Sequence, residues 1–183
     1  MAKRLFFFFF IVINFTSCSI MGWIPHYYTL PDGGIRPKKS NFSFAKHPYH
    51  LADTNLIDTN AVYFNLNTDV YYGSHFVDSS YVIYRFFNNG KLLISYAYEH
   101  KPTNKECNSN SDTYAFIGYY KIKGTKITIE IYTTDDYGGY NFYYGEISDG
   151  LIVFTHWKPR TFNSFKQRIY PYKVLTKYKV KLR

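Results

Sequence analysis

Hydrophobic and polar residues alternate along most of the chain from Ala61 onward. A period of two places every second side chain on the same face, which is typical of half-buried β-strands. The segments with this pattern are "AVYFNL", "YVIYRFF", "KLLISYAYE", "YAFIGYYKI", "KITIEIYT", "YNFYYGEI", "LIVFTHW" and "YKVLTKYKVKL". No segment has a helical period over a useful length, so we predict an all-β fold of about eight strands.

Short turn sequences separate these strands in pairs. They are Asn88-Asn89-Gly90, Lys123-Gly124-Thr125 and Ser148-Asp149-Gly150. Glycine and asparagine tolerate the positive φ that tight hairpin turns require, so each pair of strands is predicted to form a hairpin. Successive hairpins favour an antiparallel up-and-down meander that closes, or nearly closes, into a small barrel without exposed edges. A β-sandwich is the alternative.

One part of the predicted meander resembles a known group of proteins. The run "FIGYYKIKGTKITIEI" resembles the strand–turn–strand pattern of lipocalin-like bacterial lipoproteins. The matching positions are Gly118, Tyr120 and Ile122 on one face, Gly124 at the turn, and Ile127 and Ile129 after it. The similarity spans residues 80–155 approximately, and it implies a small barrel in a protein attached to a membrane.

The first residues have the features of an export signal. Lys3 and Arg4 precede an apolar run over residues 5–13. Nine helical residues rise only about 13 Å, whereas the hydrocarbon core of a bilayer is about 30 Å thick. A positive start, a short apolar segment and small residues after it predict a secretory signal peptide.

The end of this signal resembles the lipobox of bacterial lipoproteins of the Bacteroidota. The matching residues are Phe15-Thr16-Ser17-Cys18, after an aromatic-rich apolar run. The resemblance implies cleavage before Cys18 and attachment of lipid there, and therefore a membrane partner. We expect an outer-membrane lipoprotein of the cell envelope that faces the periplasm, because "SIMGWIP" after Cys18 contains no acidic run. The alternative is an ordinary signal peptide, which leaves Cys18 free or able to form a disulfide with Cys107.

The chain therefore divides into three predicted parts. Residues 1–17 form the signal peptide and residues 58–183 form the barrel domain. Residues 18–57 include "PHYYTLPDGGIRPKKSNFSFAKHPYH", which holds four of the seven prolines and no sustained periodicity. We expect a tether and an irregular cover there.

The positive charge is concentrated at the end of the chain. The net charge is +9, and the nine Lys and Arg residues after Asp149 are accompanied by no acidic residue. Alternation over the last strand predicts a basic patch on one face, formed by Lys173, Lys177, Lys179, Lys181 and Arg183. A solvated strand face explains this pattern, and lysines there discourage edge pairing. The functional alternative is attraction to anionic lipid headgroups or to an envelope protein, whereas no motif indicates a nucleic-acid partner.

No catalytic motif is evident, and the sequence indicates no cofactor and no metal. His47 and His50 are two ligands where a zinc site needs three or four. Glu130, Glu146 and Asp135 are the acids that a glycan hydrolase of the envelope would use, since glycosidases need paired carboxylates. We expect a protein that is not an enzyme and keep the hydrolase as a second alternative.

Aromatic residues offer the remaining functional signal. Tyr and Phe together number 38 of 183 residues. The inward faces of the barrel are predicted to carry Tyr84, Phe86, Tyr96, Phe116, Tyr120 and Tyr144. These rings either pack as a core or line a pocket for a small apolar or sugar ligand. Our first functional hypothesis is ligand binding in or on the barrel, and the first alternative is a structural or interaction lipoprotein that acts through the basic last strand.

Overall fold

The computed structural model describes residues 27–29, 35–47, 49–51, 56–72, 75–98, 100–108, 116–133, 139–160, 165–179 and 182. The predicted signal peptide and Cys18 lie outside these residues. The chain divides into two compact units, Met1–Lys38 and Lys39–Arg183. In the first unit, β1 (Tyr27–Thr29) and β2 (Ile35–Pro37) form an antiparallel hairpin within the segment predicted to be irregular. Over the described residues, no helix combines the length and hydrophobicity needed to cross a membrane.

The second unit is a closed barrel of eight antiparallel strands. Its strands are β3 (Ala61–Tyr72), β4 (His75–Phe86), β5 (Lys91–Tyr98), β6 (Phe116–Lys123), β7 (Lys126–Thr133), β8 (Gly139–Ser148), β9 (Leu151–Pro159) and β10 (Gln167–Lys179). Each strand pairs with the next, and β10 closes the barrel by pairing with β3, with Thr176 opposite Phe64. The predicted all-β meander and its closure into a barrel are confirmed, and the sandwich is excluded.

Alternation along the strands determines the core. Cross-strand partners share a face of the sheet, so the register identifies the side chains that point inwards. Ile129, for example, lies between Tyr120 and Tyr143 on the inner face. The buried cluster inside the barrel contains Ile57, Tyr63, Val82, Tyr84, Phe86, Leu92, Ile94, Tyr120, Ile127, Ile129, Ile147, Ile152, Phe154 and Leu175.

Three hairpin turns mark one end of the barrel, which we call the lower end. They join β4 to β5, β6 to β7 and β8 to β9, at the positions predicted from the turn sequences. Gly90, Gly124 and Gly150 have φ values of 77°, 58° and 76°, and Asp149 has a φ of 50°. Glycine adopts this region without steric cost, which is why these short turns form where they do.

Residues 49–51 and 56–60 cover the lower end before the chain enters β3. Ile57 is fully buried in the core, and the ring of Tyr49 lies 5.6 Å from that of Tyr120. The Leu51 N–H donates a hydrogen bond of 3.0 Å to the Asn88 carbonyl in the first hairpin turn. Apolar side chains therefore close this end of the barrel.

Residues 39–47 pack on the outer face of β6, β7 and β8, and we call this segment the strap. It contains two short 3-10 helices, Lys39–Asn41 and Phe44–Lys46. The fully buried Phe42 lies between them, with its ring 5.0 Å from Tyr119 and 4.9 Å from Tyr140. The strap and the lower-end cover thus belong to the same compact unit as the barrel.

A short helix, α1 (Asn104–Cys107), follows β5. Thr103 and Glu106 form a capping box at its start, which satisfies backbone N–H groups that a helix terminus leaves unpaired. Cys107 is buried against Val62 and Ile83 on the outer face of the barrel. The thiol is therefore part of a small outer core.

Candidate ligand site in the barrel interior

The upper interior of the barrel, away from the hairpin turns, contains polar side chains among aromatic ones. Three neighbouring strands, β10, β3 and β4, supply Lys173, Asn65 and Ser80. Their register places all three on the inner face: Lys173 is opposite Phe154, Asn65 is opposite Val82, and Ser80 lies two residues before Val82. Polar groups on one side of an apolar interior are the usual composition of a small-molecule site.

Lys173 is the charged group of this site. Its Nζ atom lies 5.3 Å from the centre of the Tyr84 ring, and Tyr84 is 3% exposed. Burial lowers the pKa of Lys173, and the nearby Tyr143 partly opposes that shift. The side chain is nevertheless only half-buried. Lys173 therefore points inwards and keeps part of its surface accessible to solvent.

Ser80 and Asn65 carry oxygen atoms that are buried without a partner. Among the described groups, neither Ser80 Oγ nor Asn65 Oδ1 has a hydrogen-bond partner. Ser80 is 1% exposed, so solvent outside the protein does not satisfy its hydroxyl. Asn65 and Ser80 are diagonal neighbours on adjacent strands, which corresponds to a separation of about 7–8 Å. Buried polar atoms usually have a partner, so these two indicate a bound water or ligand.

Aromatic side chains share the inner face with these groups. Tyr96 is opposite Val82 and Phe116 is opposite Ile94, so both face inwards. Their rings meet edge to face at 5.9 Å. Tyr96 is 39% exposed despite its inward position, which makes it accessible from the upper end. Trp157 and Tyr143 are cross-strand partners on the same inner face.

The six aromatic residues predicted to face inwards occupy three kinds of position. Tyr84, Phe86 and Tyr120 are buried in the core, and Tyr96 and Phe116 lie towards the upper end. Tyr144 is opposite Thr128, on the outer face of the barrel, with Lys166 Nζ 3.9 Å from its ring centre. Its predicted inward placement was wrong.

Tyr143 takes the inward position that was predicted for Tyr144. Gly145 and Ile147 share the face of Tyr143, because side chains alternate along the strand. Ile147 is 4% exposed and belongs to the core. Alternation back from the apolar Ile147 would have placed Tyr143, and not Tyr144, on the inward face.

The basic residues of the last strand do not form a solvated face. Lys173 and the fully buried Leu175 point inwards, whereas Val174 on the opposite face is 39% exposed. Lys177 lies near the lower end, where its Nζ atom is 2.8 Å from Asp58 Oδ2. The predicted solvated lysine face is therefore wrong. Leu175 lies on the same face as Lys173 and is fully buried, so this face of β10 points into the core.

The rest of the predicted basic patch is divided. Lys179 is exposed, and Lys181 and Arg183 lie outside the described residues. Attraction of an anionic surface or an envelope protein to this strand stays a prediction. Among the described lysines of this patch, Lys173 points inwards and Lys177 pairs with Asp58. Lys179 is exposed and has no ion pair with a described carboxylate.

Glu130 lies under the strap and not in a cleft. Its side chain is fully buried, and Oε1 accepts hydrogen bonds from the Ser43 N–H and Arg160 Nη1, both at 2.9 Å. Oε2 accepts from Ser43 Oγ at 3.0 Å and from the Phe44 N–H at 2.8 Å. Four hydrogen bonds to the two oxygens indicate that this carboxylate fastens the strap to the barrel.

Glu130 and Glu146 do not have the spacing of a glycosidase pair. Glu146 is opposite Lys126, four residues before Glu130 on β7. Four strand residues extend about 13 Å, whereas glycosidase carboxylates are about 5–9.5 Å apart. Asp135 lies outside the described residues.

Histidines and the remaining cysteine form no catalytic group in the part of the chain that is described. His100 Nε2 is 2.9 Å from Glu106 Oε1 beside α1, and burial is the main cause that raises the pKa of Cys107. His47 belongs to the strap, and His50 is exposed in the lower-end cover. Across the described residues, no three His, Cys, Asp or Glu side chains are grouped closely enough to hold a metal ion.

Comparisons with known proteins found no matching family model, no matching curated protein and no matching solved structure.

Proposed function

We propose that this chain is a lipid-anchored envelope protein whose barrel binds a small ligand with an apolar body and at least one polar group. One observation carries the proposal: Ser80 Oγ and Asn65 Oδ1 are buried without a described partner, on the same inner face of the barrel as a half-buried Lys173. A core that only stabilised the fold would be expected to avoid such groups, since burying an unpaired polar atom costs about 1–3 kcal/mol.

The difference between the two ends of the barrel supports entry of the ligand from the upper end. Ile57, Tyr63 and Tyr120 are buried and fill the lower part of the interior. Tyr96 is accessible although it faces inwards. A ligand would therefore enter from the upper end, pass Tyr96 and Phe116, and stop above the filled core. An apolar chain or a sugar stacked on an aromatic ring fits this lining.

Native mass spectrometry of the full chain tests ligand binding. The protein is purified from the producing cell's envelope in a maltoside micelle, and the micelle is removed in the instrument. We expect a reproducible added mass that organic extraction removes, and its identity gives the ligand class. A bare protein that also takes up nothing from an envelope lipid extract would contradict binding in the barrel.

A pair of substitutions locates the ligand. Ser80→Leu introduces an apolar side chain into the proposed site and should reduce the bound fraction at least fivefold. Thr176→Leu is the matched control, because Thr176 is exposed on the outer face of β10. Equal occupancy in both variants would place the ligand elsewhere on the molecule.

The lipid anchor is supported by the signal and lipobox pattern that ends at Cys18. Two or three acyl chains would hold the protein on a membrane, because one chain alone binds only marginally. Cys18→Ala should move the protein from the outer-membrane fraction to the soluble periplasmic fraction, whereas Cys107→Ala should leave it in place. A Cys18→Ala variant that stays with the membrane would refute the anchor.

A further inference from the structure

We infer that the outer wall of the barrel binds a linear anionic glycan along a row of side chains that crosses β6 to β10. The glycan that fits this row has carboxylate groups separated by uncharged sugar residues. This surface is on the outside of the barrel and is independent of the ligand proposed for the interior.

Five cross-strand partners form one row on the outer wall, which we call the outer row. Lys121 on β6 is opposite Thr128 on β7, and Thr128 is opposite Tyr144 on β8. Tyr144 is opposite His156 on β9, and His156 is opposite Arg168 on β10. Cross-strand partners share a face, and neighbouring strands lie about 4.8 Å apart, so the outer row extends about 19 Å across the wall. A linear polymer that crosses the strands can therefore contact all five side chains.

Positive charge is in excess on the wall that carries the outer row. The cations described on the outer face of these strands, or directly before β10, are Lys121, Lys123, Lys126, Lys158, Lys166 and Arg168. Among the acids described between positions 116 and 179, Glu130 is fully buried and paired with Arg160, and Glu146 and Asp149 lie towards the lower end. None of these lysines has an ion pair with a described carboxylate. The wall is therefore complementary in charge to a polyanion.

Aromatic rings hold two of these lysines in position. Lys166 Nζ lies 3.9 Å from the centre of the Tyr144 ring, and Lys121 Nζ lies 4.8 Å from the centre of the Phe44 ring in the strap. A ring attracts an ammonium group but does not neutralise it. A side chain that is already held in place loses less conformational entropy when it binds. The two ammonium groups are thus preorganised contacts for anionic groups.

The uncharged groups of the outer row favour a glycan over a nucleic acid. The side chains of Thr128, Tyr144 and His156 can donate or accept hydrogen bonds, and sugar hydroxyl groups do both. Proteins bind single-stranded nucleic acids by stacking bases on open aromatic rings. Here Lys166 lies over the Tyr144 ring and Lys121 over the Phe44 ring, which leaves less room for a base. Charged ends with neutral polar groups between them match carboxylates that are separated by uncharged sugars.

The curvature of the wall argues against a membrane as the partner. From β6 to β10 the outer row follows four of the eight strand-to-strand steps of the closed barrel, which is half of its circumference. A flat bilayer contacts one sector of a closed barrel, so it cannot meet both Lys121 and Arg168. A flexible chain can follow the wall and reach both residues.

Binding of a fluorescently labelled hyaluronan decasaccharide to the full chain in a maltoside micelle tests this inference. In this probe, uncharged N-acetylglucosamine residues separate the glucuronate carboxylates. The matched probe is the same decasaccharide with its carboxylates reduced to alcohols. Fluorescence anisotropy should show at least tenfold tighter binding of the acidic probe. Raising the NaCl concentration from about 50 mM to about 300 mM should weaken that binding at least fivefold, because salt screens exposed charges.

Substitutions locate the binding surface. The double variant Lys121→Gln with Lys166→Gln removes the two lysines that the rings hold, and it should weaken binding of the acidic probe at least fivefold. Lys101→Gln is the matched control, because Lys101 is an exposed lysine whose Nζ atom lies 4.5 Å from the centre of the Tyr178 ring, away from the outer row. Binding should stay within twofold in this control. The thermal unfolding midpoint of each variant is measured first, and if the double variant does not fold, the charge and salt comparisons on the unmodified chain still decide.

Competition identifies the class of polyanion. A single-stranded oligonucleotide and vesicles of phosphatidylcholine and phosphatidylglycerol (7:3) are added at the same concentration of negative charge as the glycan. The vesicles are tested with the Cys18→Ala chain, because attached acyl chains would bind any bilayer. Displacement of more than half of the glycan by either competitor would overturn the choice of a glycan, and displacement of less supports it.

The remaining outcomes are separate from the proposed function. Equal binding of the acidic and reduced probes, or binding of neither, would overturn the glycan inference. Unchanged binding in the double variant would refute the outer row as the site. None of these results alters the mass of a ligand bound in the interior, which native mass spectrometry measures on its own.

Discussion

Replacing Glu130 with alanine should release the strap from the outer wall of the barrel. The two carboxylate oxygens accept four hydrogen bonds, three from the strap residues Ser43 and Phe44 and one from Arg160. The substitution leaves two backbone N–H groups, the Ser43 hydroxyl and the guanidinium group without this partner. Arg160 Nη1 also donates to the Asn41 carbonyl, so this hydrogen bond of the strap remains, together with the packing of the buried Phe42 against Tyr119 and Tyr140.

The size of the effect follows from the burial of each partner. Removing one partner of a buried ion pair costs about 3–5 kcal/mol. The Arg160 side chain is 35% exposed and can be solvated again, so the lower end of that range applies. We expect Glu130→Ala to lower the free energy of unfolding by about 3 kcal/mol. Glu130→Gln keeps one acceptor oxygen and should cost about half as much.

Urea denaturation measures the change, and amide hydrogen exchange locates it. Protection of the Ser43 and Phe44 amides should fall in Glu130→Ala, whereas amides in the centre of β7 should stay protected. Glu146→Ala is the matched control, because Glu146 is an exposed glutamate on the neighbouring strand, and surface substitutions are usually within about 0.5 kcal/mol. A loss below 1 kcal/mol, or unchanged protection at Ser43, would refute the interpretation that Glu130 fastens the strap.

Three further predictions concern packing, pH and reactivity. Gly145→Ala should destabilise the protein by about 2–3 kcal/mol in urea denaturation, because an added Cβ would lie 2.5 Å from the Val153 carbonyl oxygen. Gly139→Ala is the control, since a Cβ at that position meets nothing within 4 Å. Equal losses of stability in the two variants would contradict this reasoning. The hydrogen bond with Lys177 lowers the pKa of Asp58 in the folded protein. Asp58 therefore stabilises the fold at pH values above its unfolded pKa of about 3.9. This contribution is lost as the pH falls through the lower pKa of the folded state. For this surface pair we expect about 0.5–1 kcal/mol between pH 6 and pH 2, measured by urea denaturation as the difference from Asp58→Asn. The thiol of Cys107 is buried and its pKa is raised, so iodoacetamide at pH 8 should modify it only as fast as the protein opens. Rapid labelling of the folded protein would contradict the packing of Cys107 against Val62 and Ile83.

Much of the barrel could be predicted because its strands carry local patterns. Ile127, Ile129 and the polar residues between them alternate over all of β7, so the strand from Lys126 to Thr133 was predicted with its observed bounds. The turns at Gly90 and Gly150 were predicted because positive φ favours glycine. Alternation alone also determines that Glu130 lies on the face opposite Ile127 and Ile129.

The candidate site was predicted less well, because a period of two does not show which face is buried. In β10 the lysines at positions 173, 177 and 179 suggested a solvated face, although Leu175 shares it and is fully buried. In β8, Tyr144 was predicted to face inwards but lies on the outer face, opposite Thr128. Asn65 and Ser80 were missed because single polar residues in a strand are usual on a solvated face.

The sequence by itself determined the all-β class, the number of barrel strands, their order as hairpins and the positions of the turns, since each depends on neighbouring residues. Only the tertiary structure decided what lies together across the chain. Glu130 meets Ser43, which is 87 residues away, and Lys173 meets the ring of Tyr84 through the barrel interior. Closure of the barrel brings β10 beside β3, and with it Lys173 to the same interior as Asn65 and Ser80. Such contacts depend on the closed sheet as a whole, which no local pattern encodes.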